Sequence, residues 1–343
     1  MDHKESLQDK INSIIGLFSS GQTQEALNSI EVLIKDYPNE PLLLNIGGVF
    51  YKQTGQLDEA INRFEKAITI NPDYAEAHNN LGVTLQNLGL MDEAITSYEK
   101  AIASNPDYAE AHNNLGVTLQ NLNLMDEATT SYEKAIASNP DYAEAHNNLG
   151  NIFRELEQLD AAVKSYEKVT AINPDYPEAH FNLGNTLVEL GQLETAIKSY
   201  EKVIAINPNY HEAHYNLGNT LIELGQLETA VKSYEKVIAI NPAHPEAYFN
   251  LGSSLQQLGK LDQAIKCYEK AISIRPNYSG AYYNLSYLKK YTTSDPQIAK
   301  MQSLISSDDI TQSGRIDLCF ALAKVNENLD NQDELFKYLH EAN

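Results

Sequence analysis

From residue 41 to residue 278 the apolar and small positions form two short runs per unit, and the whole pattern returns every 34 residues. Within each run the apolar side chains are spaced in steps of three and four. That spacing places them on one face of an α-helix. Each unit is therefore predicted to hold two amphipathic helices. The eighth position is glycine at Gly48, Gly82, Gly116, Gly150, Gly184, Gly218 and Gly252. The twentieth is alanine, from Ala60 and Ala94 to Ala264, and the twenty-fourth is aromatic, from Phe64 and Tyr98 to Tyr268. Small residues at fixed places predict crossing points where the helices approach closely.

The breaks between helices are equally regular. Gly55, Gly89, Gly191, Gly225 and Gly259 stand near mid-unit, where the chain turns between the two halves. Pro38, Pro72, Pro106, Pro140, Pro174, Pro208, Pro242 and Pro276 stand 34 apart. The residue before a proline avoids the helical region, so Asn-Pro or Arg-Pro ends the second helix. A fixed period of this length predicts stacked helical hairpins. A single hairpin cannot bury both of its faces, and neighbours complete the core.

The 34-residue recurrence of small, aromatic, small and proline positions resembles the tetratricopeptide repeat. Seven complete units, 41–278, fit it without insertion, and 7–40 fits loosely through Gly21, Ala26 and Pro38. The resemblance implies an all-α fold, a right-handed superhelical solenoid of antiparallel helical hairpins whose first helices line a concave groove. Units 75–108 and 109–142 are near copies, differing at Gly89 against Asn123 and Ile95 against Thr129. Interchangeable units let an array lengthen at little structural risk.

The last segment, 279–343, is expected to be a helical capping region with a partial hairpin. Residues 279–291 read as the first helix of another unit. A short helix follows, with Asp295 as its cap before Pro296. The hairpin pattern returns from Ile316, with Ala323 and Ala342 at small positions. The tail from Ser313, through Leu318, Phe320, Ala321, Leu322, Ala323 and Lys324 to Glu341, Ala342 and Asn343, resembles the segment that precedes the catalytic domain in bacterial tetratricopeptide-repeat sulfotransferases.

The net charge of −22 argues against nucleic acid and anionic membrane as partners and favours a neutral-to-basic protein or peptide. No apolar run approaches a membrane span of ~18 residues, and no secretory leader opens the chain, so a cytoplasmic location is expected. Cys267 and Cys319 make no disulfide framework.

Candidate chemistry is sparse. His78, His112, His146, His180 and His214 also recur every 34 residues. Equivalent residues of stacked hairpins lie about 10 Å apart, the packing distance of helices, too far to share one metal ion. They are read as packing residues, and neither a metal nor a cofactor is expected. No nucleophile elbow, Walker loop or dinucleotide fingerprint occurs. Glu-Lys pairs such as Glu99-Lys100 and Glu201-Lys202 read as a solvated outer face.

The groove positions say more. In the family the second, fifth, sixth, ninth, twelfth and thirteenth positions of each first helix face the groove. The sixth is Asn80, Asn114, Asn148, Asn182, Asn216, Asn250 and Asn284. A carboxamide both donates and accepts, and so can grip a peptide backbone. The competing reading is that each bonds its own neighbouring backbone. The repeats of O-linked N-acetylglucosamine transferases carry a similar asparagine ladder, which implies polypeptide binding. The fifth position is Asn79, Asn113 and Asn147, then Phe181, Tyr215, Phe249 and Tyr283, a predicted aromatic row for anchoring side chains. The rival reading packs these rings against adjacent helices. The ninth runs from Val83 and Val117 to Asn151, Asn185 and Asn219. The groove charges are acidic: Glu76 to Glu246 at the second position, and Glu155, Glu189 and Glu223 at the thirteenth.

The expected function is a non-catalytic interaction scaffold that binds an extended polypeptide. The alternative is the substrate-recruiting region of a sulfotransferase whose catalytic domain lies outside this chain. Self-association is left open.

Overall fold

A computed structural model describes residues 6–307 and 310–342. Asn343, the last residue of the C-terminal resemblance, and the pair 308–309 lie outside the described residues. The described chain contains twenty α-helices and no strand. It divides into two units, one ending at Pro174 and one beginning at Asp175.

In the first unit the N-terminal hairpin is Leu7–Ser19 with Thr23–Asp36. Four repeats follow, each with an A helix and a B helix: Pro41–Gln53 with Leu57–Ile70, Ala75–Asn87 with Met91–Ser104, Ala109–Asn121 with Met125–Ser138, and Ala143–Glu155 with Leu159–Ile172. The second unit opens with three more pairs: Pro177–Glu189 with Leu193–Ile206, His211–Glu223 with Leu227–Ile240, and Pro245–Gln257 with Leu261–Ile274. Within each unit every A helix packs on its own B helix, and each B helix on the next A helix. This side-by-side stacking is a helical solenoid.

The sequence places each boundary. The residue before the loop proline is extended, as at Asn71 (φ −129°, ψ 93°), which ends the B helix as the proline demands. Pro177 and Pro245 occupy first-turn positions of A helices, where no backbone N–H is missed. The A–B turn is left-handed at Gly55, Gly89, Gly191, Gly225 and Gly259, and equally at Asn123 (φ 62°) and Glu157 (φ 58°).

The core of each repeat is an aromatic ring on a glycine. Phe64, Tyr98, Tyr132, Tyr166, Tyr200, Tyr234 and Tyr268 are essentially fully buried. A β-carbon on Gly48 would fall 2.5 Å from the Phe64 ring, and one on Gly116 2.7 Å from Tyr132. Ala60, Ala94 and their equivalents are wholly buried as well.

The C-terminal region departs from the expected boundaries. Its first helix is Ser279–Leu288, not 279–291. The chain turns extended at Lys289, whose ammonium meets Asp295 Oδ2 at 3.0 Å and Gln297 Oε1 at 3.0 Å. Pro296–Ile305 is capped by Asp295 as expected, its carboxylate accepting from the Gln297 N–H at 3.0 Å. The closing hairpin begins earlier than Ile316: Gln312–Asn328 is capped by Thr311 and pairs with Gln332–Ala342.

Candidate peptide-binding face

The recurrent histidines lock turns. His78 Nε2 donates to the Pro72 carbonyl at 2.8 Å, His112 to Pro106 at 2.9 Å, His146 to Pro140 at 3.0 Å and His214 to Pro208 at 3.1 Å. A carbonyl only accepts, so the proton is on Nε2. Tyr282, where tyrosine replaces histidine, bonds the Pro276 carbonyl at 3.2 Å in the same way. Burial lowers the His214 pKa, which favours the neutral ring.

The sixth-position asparagines link one repeat to the one before it. In the first unit Asn80 Nδ2 donates to Asn45 Oδ1 (3.1 Å), Asn114 to Asn79 (3.0 Å) and Asn148 to Asn113 (3.1 Å). In the second unit the acceptor has moved to the ninth position: Asn216 donates to Asn185 (2.8 Å), and Asn250 to both Asn219 (3.1 Å) and the Tyr215 hydroxyl (3.1 Å). Asn284 donates to the Tyr268 hydroxyl at 3.2 Å. The partner is thus a side chain of the preceding repeat, not the backbone expected in the competing reading. Asn182 also has a partner. All seven are half-buried. The carboxamide oxygens of Asn80, Asn114, Asn148, Asn216, Asn250 and Asn284 accept no bond among the described residues.

The change of acceptor follows from the buried tyrosines. A hydroxyl at the core needs an acceptor, because leaving it unpaired costs about 1–3 kcal/mol. Tyr98 and Tyr132 donate to Gln86 (2.8 Å) and Gln120 (2.9 Å), at the twelfth position. Tyr166, Tyr200 and Tyr234 donate instead to Asn151 (2.7 Å), Asn185 (2.8 Å) and Asn219 (2.7 Å), at the ninth. Tyr268, beside Ser253, returns to glutamine, Gln256 at 2.8 Å. The first complete repeat has Phe64 and needs neither; its ninth and twelfth positions are Val49 and Lys52. The glutamines were not foreseen as functional, although the sequence carries the signal: among repeats with Tyr at twenty-four, Gln stands at twelve where nine is Val or Ser.

The fifth position is more enclosed than the sequence implied. Asn79, Asn113 and Asn147 are buried. Asn79 Nδ2 donates to Glu110 Oε1 of the next repeat at 3.1 Å, which explains one second-position glutamate. The aromatic residues are half-buried between rings. Phe181 lies 6.1 Å from Tyr200 and 5.2 Å from Tyr210; Tyr215 stacks on His244 at 5.0 Å; Phe249 lies 5.0 Å from Tyr278. Tyr283 meets Tyr287 edge-on at 5.1 Å. Each of these rings therefore packs in its unit and keeps part of its surface open.

Lys52 and Arg154 lie on the A helices Pro41–Gln53 and Ala143–Glu155. The A helices Pro177–Glu189, His211–Glu223 and Pro245–Gln257 carry glutamates and no lysine or arginine. The Glu-Lys pairs lie on the exposed B faces, as expected. Among the described residues no helix is long and apolar enough to cross a membrane.

A tetratricopeptide-repeat family model matches residues 47–89, 91–123, 125–153, 150–191, 184–222 and 218–259; two further tetratricopeptide models match 245–278 and 75–105. No curated protein matches the chain. Among solved structures, YrrB, described as a TPR protein with an unusual peptide-binding site, is 26% identical with TM-score 0.51, over 55% of this chain and 96% of that one. PilF of Pseudomonas aeruginosa is 21% identical with TM-score 0.52, over 63% of this chain and 97% of that one, and so attests the fold alone. The resemblance of the tail to a pre-catalytic segment rests on sequence; structurally that tail is a helical hairpin. Its period, its helix pairing and its matches agree: the chain belongs to the tetratricopeptide-repeat family and is built as a protein-interaction scaffold.

Proposed function

We propose that the A-helix face holds an extended, neutral-to-basic polypeptide, with the sixth-position asparagines gripping its backbone. One observation carries this reading. Asn80, Asn114, Asn148, Asn216, Asn250 and Asn284 each donate from Nδ2 to the preceding repeat, and their carboxamide oxygens accept no bond among the described residues. A regular row of positioned acceptors suits the regular N–H groups of an extended chain. The open parts of Phe181, Tyr215, Phe249 and Tyr283 serve peptide side chains. Glutamates without basic residues on the same helices favour a cationic ligand. YrrB, 26% identical, has a peptide-binding site by its own description, and the proposal extends that property to this chain.

The test must separate gripping from stacking. Asn216→Ala removes both the link and the free oxygen, whereas Asn185→Ala removes the link, and with it the acceptor of the Tyr200 hydroxyl, but spares the oxygen of Asn216, so thermal melts must show both variants folded. Pull-down from lysate with peptide mapping supplies the ligand. Binding should then weaken about five- to tenfold in Asn216→Ala, the scale of one hydrogen bond. It should weaken much less in Asn185→Ala. Equal losses would make the ladder structural only. Added salt should also weaken binding, through screening over ~8–10 Å.

A further inference from the structure

A cavity of about 210 Å³ opens between the A helices His211–Glu223 and Pro245–Gln257. Its polar lining includes Asn219, Glu223, Asn250 and Gln257, with Ser253, Ser254 and Tyr234 beside them and Ile222 as an apolar wall. Its base is tied together by hydrogen bonds. Tyr234 Oη and Asn250 Nδ2 both bond Asn219 Oδ1, at 2.7 and 3.1 Å, and Asn250 Nδ2 also reaches the Tyr215 hydroxyl at 3.1 Å. Among the described residues the Glu223 carboxylate meets no cation, and neither Asn250 Oδ1 nor the Gln257 carboxamide makes a bond. These acceptors come from both helices, and neither helix contains a lysine or arginine to neutralise them.

A cavity with open acceptors on two walls and a carboxylate that meets no cation among the described residues suits a cationic group with several N–H donors. A guanidinium presents five in a planar fork, whereas an ammonium is a point donor. We infer that this cavity is a subsite for the arginine side chain of a bound peptide. Its guanidinium meets Glu223 and the Asn250 oxygen, while its methylenes lie along Ile222. The inference rests on the peptide-binding reading above and gives it a position and a side-chain preference.

The test uses the full chain and three short fluorescent peptides of one neutral, extended sequence, differing at one central residue: arginine, lysine or citrulline. Citrulline keeps the shape of arginine and loses its charge. The arginine peptide should bind about tenfold more tightly than the citrulline peptide, the scale of a charge-assisted hydrogen bond, and more tightly than the lysine peptide. Glu223→Gln should abolish that advantage, and Glu201→Gln, on the exposed face of Leu193–Ile206, should leave it intact. The side-chain amide resonances of Asn250 and Gln257 should shift with the arginine peptide alone. Equal binding of arginine and citrulline peptides, or an advantage that survives Glu223→Gln, overturns the subsite while the peptide-binding reading stands. Equal binding of lysine and arginine overturns the guanidinium assignment. No binding by any of the three overturns both readings.

Discussion

Tyr98 lies against the backbone of Gly82 so closely that a β-carbon there would fall 2.6 Å from the ring Cε1. Real carbon contacts do not reach that distance, so the eighth position is glycine for reasons of space. The same relation recurs between Gly218 and Tyr234 at 2.7 Å. Gly82→Ala is expected to destabilise the array by about 1–3 kcal/mol, the usual cost of overpacking. Urea melts will measure it. A double-mutant cycle with Tyr98→Leu, which makes room, should show strong coupling; strict additivity would mean that the two residues do not share the cost.

The Tyr98 hydroxyl allows a rescue experiment. Gln86→Leu strands that buried hydroxyl and should cost about 1–3 kcal/mol. Adding Val83→Asn recreates the arrangement at Asn151 and Tyr166 and should recover most of the loss. If melts show no recovery, the ninth and twelfth positions are not alternative acceptors for one donor.

How much of this was legible follows from what sets each feature. The helices, their turns and the glycine–aromatic crossings depend on local propensity and a 34-residue period, both visible in the chain. The histidines were legible as a ladder and were read as packing residues from the spacing of stacked helices. What they bond, the proline carbonyl six residues earlier, needed coordinates. The asparagine row was legible as a row, but its links to the preceding repeat were not, because they join residues 31 or 35 apart. The swap between Asn at nine and Gln at twelve was present in the sequence. It becomes meaningful once the Tyr hydroxyl is known to point there. The end of the first C-terminal helix was missed: the chain turns extended at Lys289, whose ammonium lies 3.0 Å from Asp295, six residues on.

His214 gives a pH prediction with a definite sign. Burial favours its neutral form and lowers its folded pKa, with Lys236 adding in the same direction. The unfolded chain, near 6.5, therefore takes up the proton first as pH falls. The contribution of neutral His214 is complete above pH ~6.5 and is lost as pH falls through the folded value. His214→Gln removes that dependence. The stability difference between wild type and variant, from melts at pH 7.5 and pH 5, should shift in favour of the variant at the lower pH. A difference constant with pH would mean that the ring is not held neutral.

Glu157 holds the left-handed turn that most repeats give to glycine. Its φ is 58°, close to 62° at Asn123 and not far from 78° at Gly89. The hydrogen bonding is also the same: the Glu157 N–H reaches the Arg154 carbonyl at 3.0 Å and the Gln158 N–H reaches Phe153 at 2.7 Å, as Gly89 and Leu90 reach Gln86 and Leu85. The glycines at this turn have nothing within 4 Å of a β-carbon position, so the cost to a side chain is conformational, not steric crowding by neighbours. For an ordinary residue that cost is about 1–2 kcal/mol, and less for asparagine. Glu157→Gly removes it but adds unfolded-state entropy worth about 0.4–1 kcal/mol. The net expectation is a stabilisation of a few tenths to about 1 kcal/mol. Asn123→Gly should change little, and Gly89→Glu should destabilise. Thermal melts of the three variants must fall in that order; a lower midpoint for Glu157→Gly than for wild type would show that the glutamate side chain contributes more at this turn than the backbone strain it carries.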